Sequence, residues 1–355
     1  MQPGDSGRWT TLAERFDPRR NSLNALRLAL ATSVIVSHSW PLSGEGGAPA
    51  IGNQFLGDIA VDGFFGISGF LILGSRLNSR SLIDFFWRRF LRIWPAFVVV
   101  LIFVACVVAP VTVFVLGNGT YDPGSAITYV IKNLSLLIVQ PGIEATPVGI
   151  PETGNWNAPL WTLAYEFACY IGIALLVSLV PARLLGVALG ILALIATALN
   201  IVTALSIADV PDPLIVLARL GAFFVAGSLF YHLRDRLPLN HAAGAIAAAL
   251  SIALVLCQAF DVLGAIPFAY LMLYLGVVLP LSRIGAVNDV SYGMYIYAFP
   301  LQLVLAVVVG TTLPAWVFVL VSIAITIPFA SASWFLVEKP AMRLKRLTRR
   351  PAIPA

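Results

Sequence analysis

Long, nearly uncharged apolar runs recur along almost the whole chain, and no other feature restricts its folding so severely. They fall at roughly 24–41, 56–75, 93–116, 158–180, 184–206, 213–232, 242–260, 264–282, 291–311 and 314–337. Each approaches the ~20 apolar residues with which a helix crosses the hydrocarbon core of a bilayer. Backbone groups in hydrocarbon must find partners within the chain, which leaves helices or a closed barrel. A barrel would need short strands of alternating polarity, and these runs are long and continuous. The sequence therefore predicts an all-α, polytopic membrane helix bundle of about ten spans. Composition agrees: 59% of the 355 residues are hydrophobic and 11% are charged, where a soluble domain carries about 25% charged residues.

The few charges are ordered along the chain. A formal net charge of +5 does not argue for nucleic acid here, because most basic residues sit between apolar runs, where they set orientation. With ten spans, the basic segments all fall on one side: the N-terminus, the loop with Arg76, Arg80, Arg88 and Arg89, then Arg183, Arg234 with Arg236, Arg283, and the tail Arg343 to Arg350. The loops around Glu45, 117–157 and Asp209 to Asp212 fall on the other side. Both termini are then expected to be cytoplasmic. A further crossing at the moderately apolar stretch 125–140, with Lys132 and Asn133, would break this pattern. That stretch is expected to be re-entrant or interfacial.

Arg15, Arg19 and Arg20 before the first run, with Ala48-Pro49-Ala50 after it, have the outline of a secretory signal. The run itself contains Arg27 and His38 and stops well short of Ala48, so it reads as a retained span. Residues 1–345 are expected to form a single membrane-embedded domain, and 346–355 a short basic tail near lipid headgroups. Cys106, Cys169 and Cys257 lie inside apolar runs without metal-ligand spacing, and no metal site is expected.

Ionisable residues inside spans are costly and therefore point to function. Five stand out: Arg27, His38, Asp62, Glu166 and Arg219. Arg27 and His38 share one helix face about 16 Å apart, almost three full turns. A cation at one mouth and an imidazole further along the stripe suit a long anionic donor whose reactive end is carried inward; a snorkelling arginine and a helix-end histidine before Pro41 are the plainer account. Asp62 lies on a stripe with Gly66 and Gly69, which helix packing alone explains; its carboxylate could face His38, Arg27 or another cation. Glu166 and Arg219 enter their spans from the same side at similar depth, so an ion pair between them is the simplest structural reading of both. The basic, aromatic stretch Asp84 to Pro95 puts Arg88 and Arg92 on one face at i, i+4. Such clusters grip phosphates by forked hydrogen bonds, although positive-inside anchoring would also produce one.

Five segments in order carry a resemblance over essentially the whole chain. They are Asn24-Ala-Leu-Arg27 leading to His38; Val61-Asp62-Gly63-Phe64-Phe65 through Ser68-Gly69-Phe70-Leu71-Ile72; Arg88-Arg89-Phe-Leu-Arg92-Ile-Trp-Pro95; Pro159-Leu-Trp161-Thr-Leu-Ala-Tyr-Glu166; and Ser291-Tyr292-Gly-Met-Tyr295 with Phe299-Pro300, then Glu338-Lys-Pro340. Together they resemble the family-three membrane acyltransferases, which O-acylate sugars of cell-surface and exported glycans. The resemblance implies acyl-CoA, acetyl-CoA above all, as cytoplasmic donor and a carbohydrate hydroxyl as acceptor. It implies His38 as general base or transient acyl carrier, oriented by Glu166 or Asp62. Arg27 with Arg88, Arg89 and Arg92 would hold the CoA phosphates or the thioester oxygen, with Tyr292 and Tyr295 in the donor-binding set. Many members carry histidine just before the Phe-Pro of the ninth span, and here that position is Ala298. His232 and His241 read as solvated bystanders in a basic loop.

The reading that results is a membrane O-acyltransferase. A secondary transporter with a charged midplane site competes, but the paired or inverted repeats typical of one are not found. A lipid- or protein-directed acyltransferase, and a non-catalytic partner in glycan export, are also compatible with the apolar pattern and its charges.

Overall fold

The computed structural model of the protein describes residues 10–348. It is 72% helical and has almost no strand. In chain order the helices are α1 (Leu12–Arg15), α2 (Leu23–Ser43), α3 (Leu56–Leu77), α4 (Leu82–Phe103), α5 (Pro123–Asn133), α6 (Thr162–Leu179), α7 (Leu185–Ala204), α8 (Asp212–His232), α9 (His241–Leu256), α10 (Phe260–Leu263), α11 (Ala265–Val278), α12 (Ser291–Val309), α13 (Ala315–Ser333) and α14 (Lys339–Arg343). A two-stranded hairpin, Ala50–Ile51 with Gln54–Phe55, joins α2 to α3. Local chemistry sets several boundaries. Ser81 Oγ accepts the Asp84 amide at the start of α4, Asp122 that of Ser125 at α5, and Asn240 that of Ala243 at α9, each satisfying an otherwise orphaned N–H.

Among the described residues seven helical segments are long and apolar enough to cross a membrane: Leu56–Leu77, Leu82–Val115, Ala158–Leu179, Ala182–Ala204, Asp212–His232, Ser291–Val309 and Ala315–Thr348. The expectation of about ten spans also counts α2, α9 and α11. α2 has 21 residues but carries more polar groups, and α9 and α11 have only 16 and 14 residues. α5, within the expected re-entrant stretch, has 11 residues, about 16 Å of helix and too short to span. It lies against the α4 segment, burying Ala126, Tyr129 and Asn133 on one face.

The tightest helix pair is α3 with α8. A Cβ at Gly69 would overlap the Phe224 carbonyl oxygen, and one at Gly227 would overlap that of Gly66. Ser228 Oγ donates to the Gly69 carbonyl at 3.0 Å across the contact. Helix packing therefore accounts for the α3 glycines, as small residues do wherever helices approach closely in lipid. α2 packs on α3, α12 and α13, and Gln302 on α12 donates to the Ile35 carbonyl and to Ser39 Oγ, the residue next to His38.

Long-range bonds bring the basic segments to one end of the bundle. Leu12 N–H meets the Leu237 carbonyl, Asn24 Nδ2 donates to the Gly285 carbonyl, Trp87 Nε1 to the Leu344 carbonyl and Arg76 to Ser178. The hairpin, the 117–157 loop and Asp261 gather at the other end, where Gln54 Nε2 donates to Asp261 Oδ2 at 2.8 Å. Of the basic tail expected at 346–355, residues 349–355 lie outside the described residues.

Candidate active site

Three cavities follow one another from the basic end toward the hairpin end. The first, about 350 Å³, is lined by Asn24, Arg27, Ser68, Arg89, Arg92, Tyr170, Asp289 and Lys345, among others. The second is a narrow chamber of about 40 Å³ that shares Arg27 with the first and adds Glu166, Tyr292, Tyr295, Val61, Phe64 and Thr162. The third, about 280 Å³, shares Val61, Thr162 and Tyr295 with the chamber and contains His38, Ser37, Asp58 and Glu152. The Arg27–His38 stripe thus borders both ends of one succession of spaces.

The arginines of the first cavity differ in how they are neutralised. Arg92 is gripped by Asp289 at 2.7 Å and Glu338 at 3.2 Å, and lies 5.7 Å from the Tyr292 ring centre. Burial alone would raise the Asp289 pKa, but the Arg92 and Arg27 charges and the Ser291 hydrogen bonds hold it below the usual aspartate value. Arg27 makes no ion pair among the described residues, and its Nε is buried without a hydrogen-bond partner. Arg89 Nε is likewise orphaned, and among the described residues its guanidinium reaches only Ser75 Oγ, at 3.5 Å. A buried cation without a counter-ion is costly, so this cavity is electrostatically suited to an anion.

Arg88 departs from the expected donor-binding set. Its guanidinium turns back to Asp84 in a forked pair at 2.6 and 3.0 Å, and Thr348 Oγ1 donates to the same carboxylate. It does not line the cavity. The i, i+4 spacing to Arg92 puts both on one helix side, but Asp84 captures the nearer one.

His38 is half-buried, with Nδ1 2.9 Å from the Val34 carbonyl one turn earlier. That contact requires a proton on Nδ1, which in the neutral ring leaves Nε2 as the acceptor. The ring packs edge-on against Phe299, centroids 5.1 Å apart. The orienting partner is therefore the helix's own backbone, in place of the Glu166 or Asp62 carboxylate that the family resemblance implies. Glu166 accepts from Tyr170 Oη at 2.5 Å and Ser68 Oγ at 3.1 Å, and faces the narrow chamber.

Asp62 belongs to a different cluster. Arg219 Nε lies 3.2 Å from Asp62 Oδ1, and its guanidinium reaches Asp58 and Asp261 at 3.5 Å each. The simple Glu166–Arg219 pair is thus replaced by one arginine among three aspartates, with Asp62 fully buried. Tyr292 and Tyr295 line the chamber and not the arginine cavity. Tyr292 Oη donates to the Ile93 carbonyl at 3.0 Å, and Tyr295 Oη to that of Pro159 at 2.7 Å. Ala298 is buried in α12 beside Phe299. His241 contacts Tyr274 Oη, well apart from these cavities.

Sequence reasoning missed Asp289, Asp58 and Glu152. Asp289 signals itself only as a carboxylate at a helix entry, where it accepts from the Ser291 amide and hydroxyl. Glu152 sits in a Pro- and Gly-rich loop with no periodic signal at all.

Comparison with known proteins identifies the family. A family model described as an acyltransferase domain matches residues 20–335. The chain is 29% identical to an O-acetyl transferase of Shigella phage Sf6, over 90% of this chain and 96% of the relative. It is 28% identical to Nodulation protein 10 of Rhizobium leguminosarum bv. viciae, over 94% of this chain and 96% of that protein. Acyltransferase MdmB of Streptomyces mycarofaciens matches at 30% identity over 46% of this chain and 42% of its own length. No solved structure matches. The chain belongs to the family-three membrane acyltransferases and is an integral membrane enzyme that transfers acyl groups.

Proposed function

We propose that the protein moves an acetyl or similarly short acyl group from acyl-CoA to a carbohydrate hydroxyl, with His38 as general base or transient acyl carrier. The observation that carries this reading is a pair of half-buried arginines, Arg27 and Arg89, each with a buried, unpartnered Nε and no counter-ion among the described residues, at one end of a succession of cavities whose other end holds His38. The CoA phosphates supply the missing negative charge, with Arg27 and Arg89 as forked donors. Arg92, already neutralised by two carboxylates, fixes the cavity wall. The extended arm of the donor then directs the thioester through the narrow chamber toward the imidazole.

His38 suits the chemistry because its Nε2 is the basic nitrogen. The acceptor O–H gives its proton to Nε2 as the oxygen attacks the thioester carbonyl carbon. The carbon–sulfur bond breaks, and the departing thiolate takes the proton back. In the carrier variant Nε2 attacks the thioester carbon and expels the CoA thiolate; the acceptor oxygen then attacks the same carbon and expels the imidazole, and its proton goes to the thiolate. Ser37, Asp58 and Glu152 around His38 offer the hydroxyl and carboxylate groups that bind polyols, and the relative named an O-acetyl transferase points to an oxygen acceptor. By the positive-inside rule the arginine cavity opens to the cytoplasm of a bacterial inner membrane. Residues 1–345 form the catalytic unit in this reading. Incubating purified protein with radiolabelled acetyl-CoA tests it: slow donor hydrolysis or transfer supports the enzyme, and inert donor with every acceptor tried counts against it.

A further inference from the structure

The narrow chamber has no role in binding phosphate or in proton transfer, yet the cavities on both sides of it are several times larger. Its volume of about 40 Å³ is room for a few waters or one compact acyl group. Three residues line both the chamber and the His38 cavity and so form the partition between them: Val61, Thr162 and Tyr295. All three are buried. Tyr295 is held on two sides. Its hydroxyl lies 2.7 Å from the Pro159 carbonyl and 2.6 Å from Thr162 Oγ1, and Thr162 Oγ1 reaches the same carbonyl at 3.2 Å. Its ring packs edge-on against Phe64, centroids 5.8 Å apart. The wall is therefore tied to α3 and to the turn entering α6, and it cannot retreat by a simple rotamer change.

We infer that Val61, Thr162 and Tyr295 select the acyl group by length, admitting two or three carbons to His38 and holding back longer chains. This rests on the acyl-CoA reading above. A neck built from a hydrogen-bonded aromatic and a β-branched pair discriminates sterically, and one methylene in an apolar pocket is worth roughly 10- to 200-fold.

The test compares transfer or donor hydrolysis with acetyl-, propionyl-, butyryl- and hexanoyl-CoA, reporting kcat/KM for each relative to acetyl within one protein. The wild type should fall at least about 10-fold per added methylene beyond propionyl. Val61→Ala and Thr162→Ala should each raise the butyryl-to-acetyl ratio about 10-fold, and Tyr295→Phe, which frees the ring from Pro159, should raise it less. A flat chain-length profile in the wild type, or ratios unchanged in active Val61→Ala and Thr162→Ala proteins, overturns the selector and leaves the acyl-CoA reading standing. Turnover of no acyl-CoA by the wild type overturns both.

Discussion

Two groups of half-buried arginine sit on either side of α3, and they are neutralised in opposite ways. Arg219 faces three carboxylates, Asp58, Asp62 and Asp261. Arg27 and Arg89 face none within ion-pair distance among the described residues, and each leaves Nε without a partner. A cation compensated by three carboxylates holds helices together and leaves no net charge for an anionic ligand, although Arg219 Nη2 itself has no hydrogen-bond partner. An unsaturated one is a standing cost to the fold, of several kcal/mol for an isolated buried charge after relaxation, and an anion relieves it. Arg92 lies between these cases, paired with Asp289 and Glu338 yet lining the same cavity as Arg27. The comparison teaches that an intramembrane arginine becomes informative only when its partners are known.

The sharpest way to break the comparison is to remove Arg219. Arg219→Gln leaves Asp62 fully buried without its cation, and should destabilise the protein by about 3–5 kcal/mol, the usual result of breaking a buried pair. Thermal melting in detergent and recovery of monodisperse protein read this out. Adding Asp62→Asn should restore much of the loss. A stable but inactive Arg219→Gln protein would instead return Asp62 to the catalytic set that the sequence suggests.

His38→Ala should reduce transfer by about 100-fold or more, the scale of positioned acid–base catalysis, with little change in melting temperature. His38→Gln should be nearly as inactive, because it keeps shape and polarity but not the basic nitrogen. Substantial turnover by the Gln variant would reduce His38 to a substrate-positioning group.

The unsaturated arginines should respond in the reverse sense to Arg219. Arg89→Ala should raise the apparent KM for acyl-CoA about 10-fold, the loss of one charged hydrogen-bonding partner of ~1.4 kcal/mol or more, without lowering stability. Unchanged donor dependence would mean that Arg89 only obeys the positive-inside rule. Arg88→Ala should show the smallest effect on donor binding. Its forked pair holds the buried Asp84 carboxylate, which keeps Thr348 as a partner, so stability should fall while donor dependence stays as in wild type. A donor-binding defect in that variant would restore Arg88 to the set from which its geometry removes it.

Helical periodicity makes the Arg27–His38 relation legible in the sequence itself, because residue spacing on one helix fixes both face and distance. Depth along a span is also readable, as for Glu166 and Arg219. What spacing cannot supply is which helix is the neighbour. The partners of Arg92 lie 197 and 246 residues away, and Asp62 finds Arg219 across the glycine contact of α3 with α8. Similarly, Nδ1 of His38 is satisfied by a backbone carbonyl that every helix possesses, so no sequence motif announces it. The apolar pattern predicts the helical membrane architecture, while the lengths of α9 and α11 follow from where Cys257 and Leu279 end those helices, and no hydropathy run marks these stops.

The central claim is that Arg27 and Arg89 are kept without counter-ions to bind the anionic donor, and that His38 acts afterwards. Thermal shift of purified protein titrated with CoA, at low and high salt, tests it most directly. The account predicts CoA-dependent stabilisation in the wild type and equally in His38→Ala, weakened by salt and largely lost in Arg27→Ala and Arg89→Ala. Equal stabilisation of both arginine variants, or none in the wild type at millimolar CoA, would contradict it.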